Sequence, residues 1–161
     1  MEPQATKYPN LRAVLILSAS FFTLFLAFNA AANSAAKALK DSGFDNLGYY
    51  TLAVLYMSFG IGSYWAPRMV RYFKPKRGMA FASIMYAVWI GSLALCSVFV
   101  RTGLMSREAV GVLNLAIAFI CGPGCSLLWI AQGKYLADCT QKCLHIKGFY
   151  QSIFWTMMYF S

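Results

Sequence analysis

Long uncharged runs divide the chain into five mostly apolar segments, separated by short charged stretches. These segments predict membrane spans at about residues 11–36, 46–67, 78–100, 109–133 and 148–161. The first four runs hold 22 to 25 consecutive uncharged residues, which exceeds the roughly 20 that a helix needs to cross a bilayer. The last run has 14 residues and at the helical rise reaches only about 21 Å. The pattern therefore predicts four full spans and part of a fifth.

The character of these runs favours helices over strands. Membrane-spanning strands are about ten residues long and alternate apolar with polar positions, whereas these runs are continuous and about twice that length. Hydrophobic residues make up 60% of the chain and charged residues only 12%, with a mean hydropathy of +0.56, while soluble domains are about a quarter charged. We predict an all-α protein with a single transmembrane helix bundle over residues 1–161.

Basic residues are distributed unevenly between the two sides of the predicted bundle. Counting alternate sides of the predicted bundle places ten on one side and four on the other. The ten are Lys7, Arg12, Arg68, Arg71, Lys74, Lys76, Arg77, Lys134, Lys142 and Lys147. The four are Lys37, Lys40, Arg101 and Arg107. By the positive-inside rule, the N-terminus lies on the cytoplasmic or topologically equivalent side.

The densest basic cluster lies in the loop predicted between spans two and three. It consists of Arg68, Arg71, Lys74, Lys76 and Arg77, without an acid among them. We interpret it as a topology anchor that rests near anionic headgroups, with a dedicated phospholipid or regulatory site as the alternative. Membrane lipids are thus expected partners, and the net charge of +9 does not indicate nucleic-acid binding.

Polar or helix-loosening residues inside the spans are the candidate functional positions. They are Asn29, Asn33, Asn114, Gly122, Pro123, Gly124, Trp129 and Gln132. One interpretation is helix packing through small residues and interhelical hydrogen bonds. The other is a solute cavity, because broken helices near mid-membrane bind solutes in transporters. Pro123 lacks a helical N–H, so a kink or a discontinuity is expected there.

Residue types needed for catalysis or cofactor binding are scarce. No acidic, basic or histidine residue lies deep within a full span, and the chain has one histidine. Asp138, Cys139, Cys143 and His145 match no zinc spacing, and five cysteines do not predict a disulfide scaffold. We expect no enzyme activity, cofactor or metal.

One motif resembles a known family. It reads Gly122-x-Gly124-x-x-x-Leu128-Trp129-x-Ala131-Gln132-Gly133-x-Tyr135-Leu136. Further matching pieces are Gly48-Tyr49, Leu55-Tyr56, Pro67, Tyr86, Lys147-Gly148-x-Tyr150 and Ile153-Phe154-Trp155. Together they resemble the uncoordinated-93-like family, a branch of the major facilitator superfamily. The resemblance implies the N-terminal half of a facilitator fold, with spans one and four beside its central cavity. It also implies roles as channel-regulatory subunits or trafficking partners.

Two functions remain open at this point. The first is a non-catalytic regulatory or structural subunit of a larger membrane assembly, with other membrane proteins as partners. The alternative is a secondary transporter of a small solute, represented by its N-terminal part. A facilitator has about twelve spans in two halves, and five spans cannot provide both gates. Either the chain continues beyond Ser161, or a shortened member serves as a packing partner.

Overall fold

The computed structural model describes residues 8–141 and 143–161, so Lys7 and Lys142 of the basic count lie outside the described residues. Six α-helices follow in order. They are α1 (Leu11–Leu39), α2 (Leu47–Gly62), α3 (Ala66–Phe73), α4 (Pro75–Arg101), α5 (Arg107–Thr140) and α6 (Lys147–Tyr159). A π-helical turn, Lys40–Phe44, follows α1, and a 3-10 turn, Leu144–Ile146, precedes α6. Every element assigned in the described part of the chain is helical, which confirms the all-α prediction.

Three stretches are long and apolar enough to cross a membrane, namely Leu11–Ser34 of α1, Pro75–Arg101 and Arg107–Thr140. They correspond to predicted spans one, three and four. The second predicted span, at 46–67, is not one helix. The 16-residue α2 ends at Gly62, and α3 begins at Ala66, so a single continuous helix there is wrong.

Pro67 explains why the second span divides. In a helix interior its ring would clash with the carbonyl of Ser63, four residues earlier, and its missing N–H would break the ladder. In the first turn of a helix neither cost arises, and Pro67 lies in the first turn of α3. Pro67 therefore helps to start a helix, although the span predicted at 46–67 ends on this residue.

The sequence predicted a loop for the basic cluster, but four of its five residues are helical. Arg68 and Arg71 lie in α3, while Lys76 and Arg77 lie in the first turn of α4. Lys74 joins the two helices with φ 62° and ψ 150°. Pro75 disfavours the helical conformation in the residue before it and so accounts for the extended ψ, but not for the positive φ, which is rare in a residue other than glycine.

The central helix is α5, which packs between α2 and α4. Glycines allow these contacts, because helices in lipid approach closely where side chains are small. A Cβ on Gly62 of α2 would lie 2.6 Å from Cα of Pro123, and one on Gly124 would lie 2.8 Å from Cβ of Met85 in α4. With 34 residues α5 is longer than α2, which has 16. The short helix α3 also packs against α5.

The helix α5 runs through Pro123 without interruption, so the predicted discontinuity is wrong, and a kink stays a prediction. Neighbouring helices and serine hydroxyls can compensate for a proline inside a membrane helix. Here the Ser58 hydroxyl of α2 donates to the Ala118 carbonyl at 3.4 Å. The carbonyl that Pro123 leaves without its usual donor is that of Phe119, the next residue, so this hydrogen bond supports the neighbouring turn and does not replace the missing one.

The first helix joins the bundle through aromatic rings. Phe25 of α1 lies 5.1 Å from Trp129 of α5 and 5.6 Å from Tyr86 of α4, measured between ring centroids. Phe21 lies 5.2 Å from Phe154 of α6. The buried core therefore includes an aromatic layer between α1 and the other helices.

Contacts between helix ends show which basic residues share an end of the bundle. The Asn10 amide, just before α1, donates to the Cys139 carbonyl near the end of α5 at 3.0 Å. The Lys76 ammonium lies 5.7 Å from the centroid of the Tyr135 ring. We call this end, which holds α3 and the starts of α1 and α4, the basic end. At the opposite end, a Cβ on Gly43 would lie 2.7 Å from the Arg107 guanidinium.

Candidate functional site

Asn114 connects two helices inside the bundle. It is 1% exposed, and its Nδ2 donates to Oγ of Ser92 in α4 at 2.9 Å. Its Oδ1 has no hydrogen-bond partner among the described residues. Both residues line an otherwise apolar groove of about 320 Å³ between α4 and α5. This amide therefore links α5 to α4, and it does not face α1.

We predict that this interhelical hydrogen bond contributes measurably to stability. Hydrogen bonds between membrane helices are worth about 0.6 kcal/mol on average and at most about 1.7. A double-mutant cycle of Asn114→Leu and Ser92→Ala should give a coupling free energy of about 1 kcal/mol in detergent unfolding. Ser83→Ala is the control partner, because its hydroxyl bonds to Met79 in its own helix. Equal coupling for both serines would refute the prediction.

The Gly122-Pro123-Gly124 segment lies in close helix contacts on both sides. A Cβ on Gly122 would lie 1.9 Å from Oγ of Ser58 and 2.6 Å from the backbone N of Phe59 in α2. Gly124 meets Met85 of α4. These distances leave no room for a solute between Gly122 and α2.

Trp129 lies in the aromatic layer between α1 and the other helices, beside a small cavity of about 130 Å³. The lining residues are Phe25, Phe28, Leu55, Tyr56, Phe59, Tyr86, Cys125 and Trp129. Gln132, one turn further along α5, is 5% exposed, and its Nε2 has no partner among the described residues. The aromatic partners of Trp129 were not among the positions that the sequence predicted. The spacing of Phe21, Phe25 and Phe28, four and three residues apart, was the available signal for one buried face.

Asn29 and Asn33 occupy a different environment from Asn114. Both side chains are exposed on α1, one helical turn apart, and no hydrogen bond to either side chain is found within the described residues. The structure therefore does not bring them together with Asn114 and the Gly122-Pro123-Gly124 segment.

A face of small and hydroxyl side chains lies next to these two amides on α1. Its members recur every three or four residues and are all exposed: Ser20, Thr23, Ala27, Ala30 and Ser34. Ser20 and Thr23 donate to carbonyls four residues earlier in α1, at 2.8 and 3.0 Å. Their hydroxyls are thus satisfied locally, so this α1 face presents a smooth surface.

Two grooves open at the basic end. The larger, of about 660 Å³, lies between α1 and α4. Arg12, Lys76, Ser20, Ser83 and Tyr135 supply polar groups to its otherwise mostly apolar walls. The other, of about 480 Å³, lies between α3 and α5 and includes Arg71, Lys74 and Lys134. All five residues of the basic cluster are exposed.

The candidate metal-binding residues do not form a recognisable centre. Asp138 forms an ion pair with Lys134, with 2.6 Å between Oδ1 and Nζ. Across residues 8–141 and 143–161, no group of three or more His, Cys, Asp or Glu side chains is placed to hold a metal ion.

Comparisons with known proteins agree with the motif. The family model described as "Ion channel regulatory protein UNC-93" matches residues 42–161. UNC93-like protein MFSD11 of Xenopus tropicalis is 26% identical over 164 residues, covering 100% of this chain and 33% of the relative. UNC93-like protein 3 of Arabidopsis thaliana is 29% identical over 154 residues, covering 91% of this chain and 29% of the relative. No solved structure matches the chain significantly.

The chain spans about a third of the length of the curated relatives it matches. The matches and three helices long enough to cross a bilayer identify an integral membrane protein.

Proposed function

This chain belongs to the UNC-93 family of ion channel regulatory proteins, as its sequence motif predicts, and from that premise we propose a non-catalytic subunit that regulates or supports a larger membrane assembly. The observation that carries this proposal is the pair of exposed amides, Asn29 and Asn33, on α1. Both lie within the apolar stretch Leu11–Ser34.

An amide exposed to hydrocarbon is costly. Burying such a group without a hydrogen bond costs several kcal/mol, so two amides one turn apart favour a protein neighbour over lipid tails. The adjacent α1 face adds a second reason, because small side chains allow another helix to approach closely. A helix of a partner protein against α1 would satisfy the amides and cover this face.

We propose that the other polar and small positions serve packing within the chain. Asn114 bonds to Ser92, while Gly122 and Gly124 contact α2 and α4. Pro123 faces Gly62, and Trp129 lies among aromatic rings. Gln132 is buried next to them on α5.

The decisive test is crosslinking from α1 in the native membrane. A photoreactive residue replacing Ala30, on the α1 face, should yield adducts larger than the chain that mass spectrometry identifies as a membrane protein. The combined variant Asn29→Leu and Asn33→Leu should reduce these adducts and partner co-purification about tenfold.

Ile84 of α4 provides the control position, since it is 57% exposed on an apolar stretch. Equal adducts at Ala30 and Ile84, or crosslinks confined to the chain itself, would contradict the subunit proposal.

A second candidate is transport of a small solute. It is favoured by the groove of about 660 Å³ between α1 and α4, a volume within the range of small-molecule sites. Arg12 and Lys76 would attract an anionic solute to its basic end. Uptake into liposomes that contain this protein alone, abolished by Arg12→Gln and Lys76→Gln, would favour this candidate over the subunit.

We also propose that the N-terminus faces the cytoplasm or its topological equivalent. Arg12, Lys134 and the basic cluster share one end of the bundle, while Arg107 lies at the other, and the positive-inside rule assigns the richer side to the cytoplasm.

A further inference from the structure

The groove between α3 and α5 at the basic end combines apolar walls with three cations. Ala66 and Val70 lie on the buried face of α3. The basic residues of this helix are exposed. The walls of the groove, of about 480 Å³, consist of Pro67, Val70, Arg71, Lys74, Pro75, Ile130 and Lys134. The cations come from segments about 60 residues apart in sequence, and Pro75 restricts the backbone of Lys74 before it.

The charge of this groove is positive and poorly compensated. Asp138 pairs with Lys134 at 2.6 Å, so three cations and one carboxylate leave a net charge of +2. The first turn of α4 contains no acidic residue, and its unpaired N–H groups add positive potential. The other acids of the described chain, Asp41, Asp45 and Glu108, lie at the opposite end, around Gly43 and Arg107.

A phosphate monoester complements this charge. Near neutral pH such a group carries about −1.5 to −2, and an Arg guanidinium binds its oxygens with two parallel hydrogen bonds. Lys74 and Lys134 would supply further charge. A phosphodiester, with one negative charge, would leave part of the positive charge uncompensated.

Aromatic side chains around α3 indicate that the phosphate belongs to a lipid. Tyr64, Trp65 and Tyr72 are 73%, 50% and 83% exposed, and Tyr and Trp concentrate where membrane hydrocarbon meets water. Headgroup phosphates lie at that depth. Pro67 and Ile130 offer an apolar wall on which an acyl chain can lie.

From this arrangement we propose that the groove between α3 and α5 binds the headgroup of an anionic phospholipid with a phosphate monoester, through Arg71, Lys74 and Lys134. The site is independent of the partner proposed for α1. It assigns three specific cations to binding and leaves Arg68, Lys76 and Arg77 outside the groove.

The test is native mass spectrometry of the purified chain in detergent, titrated with phosphatidic acid, phosphatidylserine or phosphatidylcholine. Phosphatidic acid should form the first adduct at the lowest concentration. Each basic side chain near anionic lipid contributes about fivefold in affinity. The variant Arg71→Gln/Lys74→Gln/Lys134→Gln should therefore bind phosphatidic acid about a hundredfold more weakly.

The matched control removes the same charge from the same end of the bundle. Arg68→Gln/Lys76→Gln/Arg77→Gln should weaken phosphatidic acid binding by only about fivefold. Equal losses in the two triple variants would overturn the site, because general surface attraction would then explain the binding.

Two further measurements test the groove independently of its cations. Ile130→Trp fills the groove without changing its charge and should weaken the adduct by about tenfold; unchanged binding would overturn the site even if the groove triple variant failed to fold. Inorganic phosphate at the same concentration should not displace phosphatidic acid. Full displacement would indicate a soluble anion in place of a lipid.

Discussion

Replacing Gly122 with alanine is expected to push α2 away from α5 and to lower the free energy of unfolding by about 3 kcal/mol. The new Cβ would lie 1.9 Å from Oγ of Ser58, 2.6 Å from the backbone N of Phe59 and 2.7 Å from the carbonyl oxygen of Leu55. The Ser58 hydroxyl can rotate away, but the two backbone atoms cannot, so a helix must move. Unfolding in mixed detergent micelles, followed by circular dichroism, measures this loss.

Gly60 of α2 provides a matched control. Apart from its own helical turns, no atom of the described residues lies within 4 Å of the position that its Cβ would take, so Gly60→Ala should stabilise the helix by about 0.5 to 1 kcal/mol. Gly124→Ala should fall between the two, because its Cβ would meet no backbone atom but would lie 2.8 Å from Cβ and Cγ of Met85, and that Cβ can move only with α4. If Gly122→Ala and Gly60→Ala gave the same free energy of unfolding, the close contact between α2 and α5 would be refuted.

The second large effect is expected from Phe25→Ala, which removes a ring at the junction of α1 with the bundle. Phe25 is 8% exposed, and its ring neighbours are Phe21, Phe28, Tyr86 and Trp129. Phenylalanine truncation in a packed core costs about 3 to 5 kcal/mol. In a bilayer the side chain is transferred from lipid and not from water, so the hydrophobic part of this cost is smaller. The lost packing and ring contacts remain, and we therefore expect the lower end of that range.

Two measurements test this prediction. The free energy of unfolding in mixed micelles should fall by about 3 kcal/mol, and the tryptophan fluorescence, to which Trp129 contributes, should become more accessible to a quencher as α1 loosens. Leu26→Ala is the control, because Leu26 is 48% exposed on the same helix. Its truncation should mainly change contacts with lipid. If Leu26→Ala lowered the free energy of unfolding as much as Phe25→Ala, the role of the aromatic layer in attaching α1 would be contradicted.

These two sites divide the bundle by how its helices are held. Glycine contacts bring α5 to backbone distance from α2 and against the Met85 side chain of α4, whereas α1 meets the bundle through side-chain rings. A partner that docks on α1 would therefore act on the helix whose attachment depends on Phe25 and its neighbours. Loss of the Phe25 ring should then also weaken partner crosslinking from Ala30.

The amino-acid sequence by itself determined the helical class, the membrane environment and the family. Run length and the helical rise per residue are local quantities, so three long spans followed directly from uncharged stretches. The family motif is likewise a contiguous stretch of α5. The sequence failed at Pro67, because proline both ends helices and begins them. Which of the two occurs depends on where the chain can turn, and the turn between Gly62 and Ala66 lets α3 pack against α5.

Only the tertiary structure decided what each polar residue meets. Asn29, Asn33 and Asn114 are the same residue type in similar apolar runs, yet two are exposed and one is buried against Ser92. Likewise, nothing local joins Arg71 to Lys134, which line one groove from separate helices. The physical reason is that rotation of a helix about its axis is set by packing with its neighbours. Apolar residues surround these spans on most sides, so the hydrophobic pattern specifies that rotation only weakly.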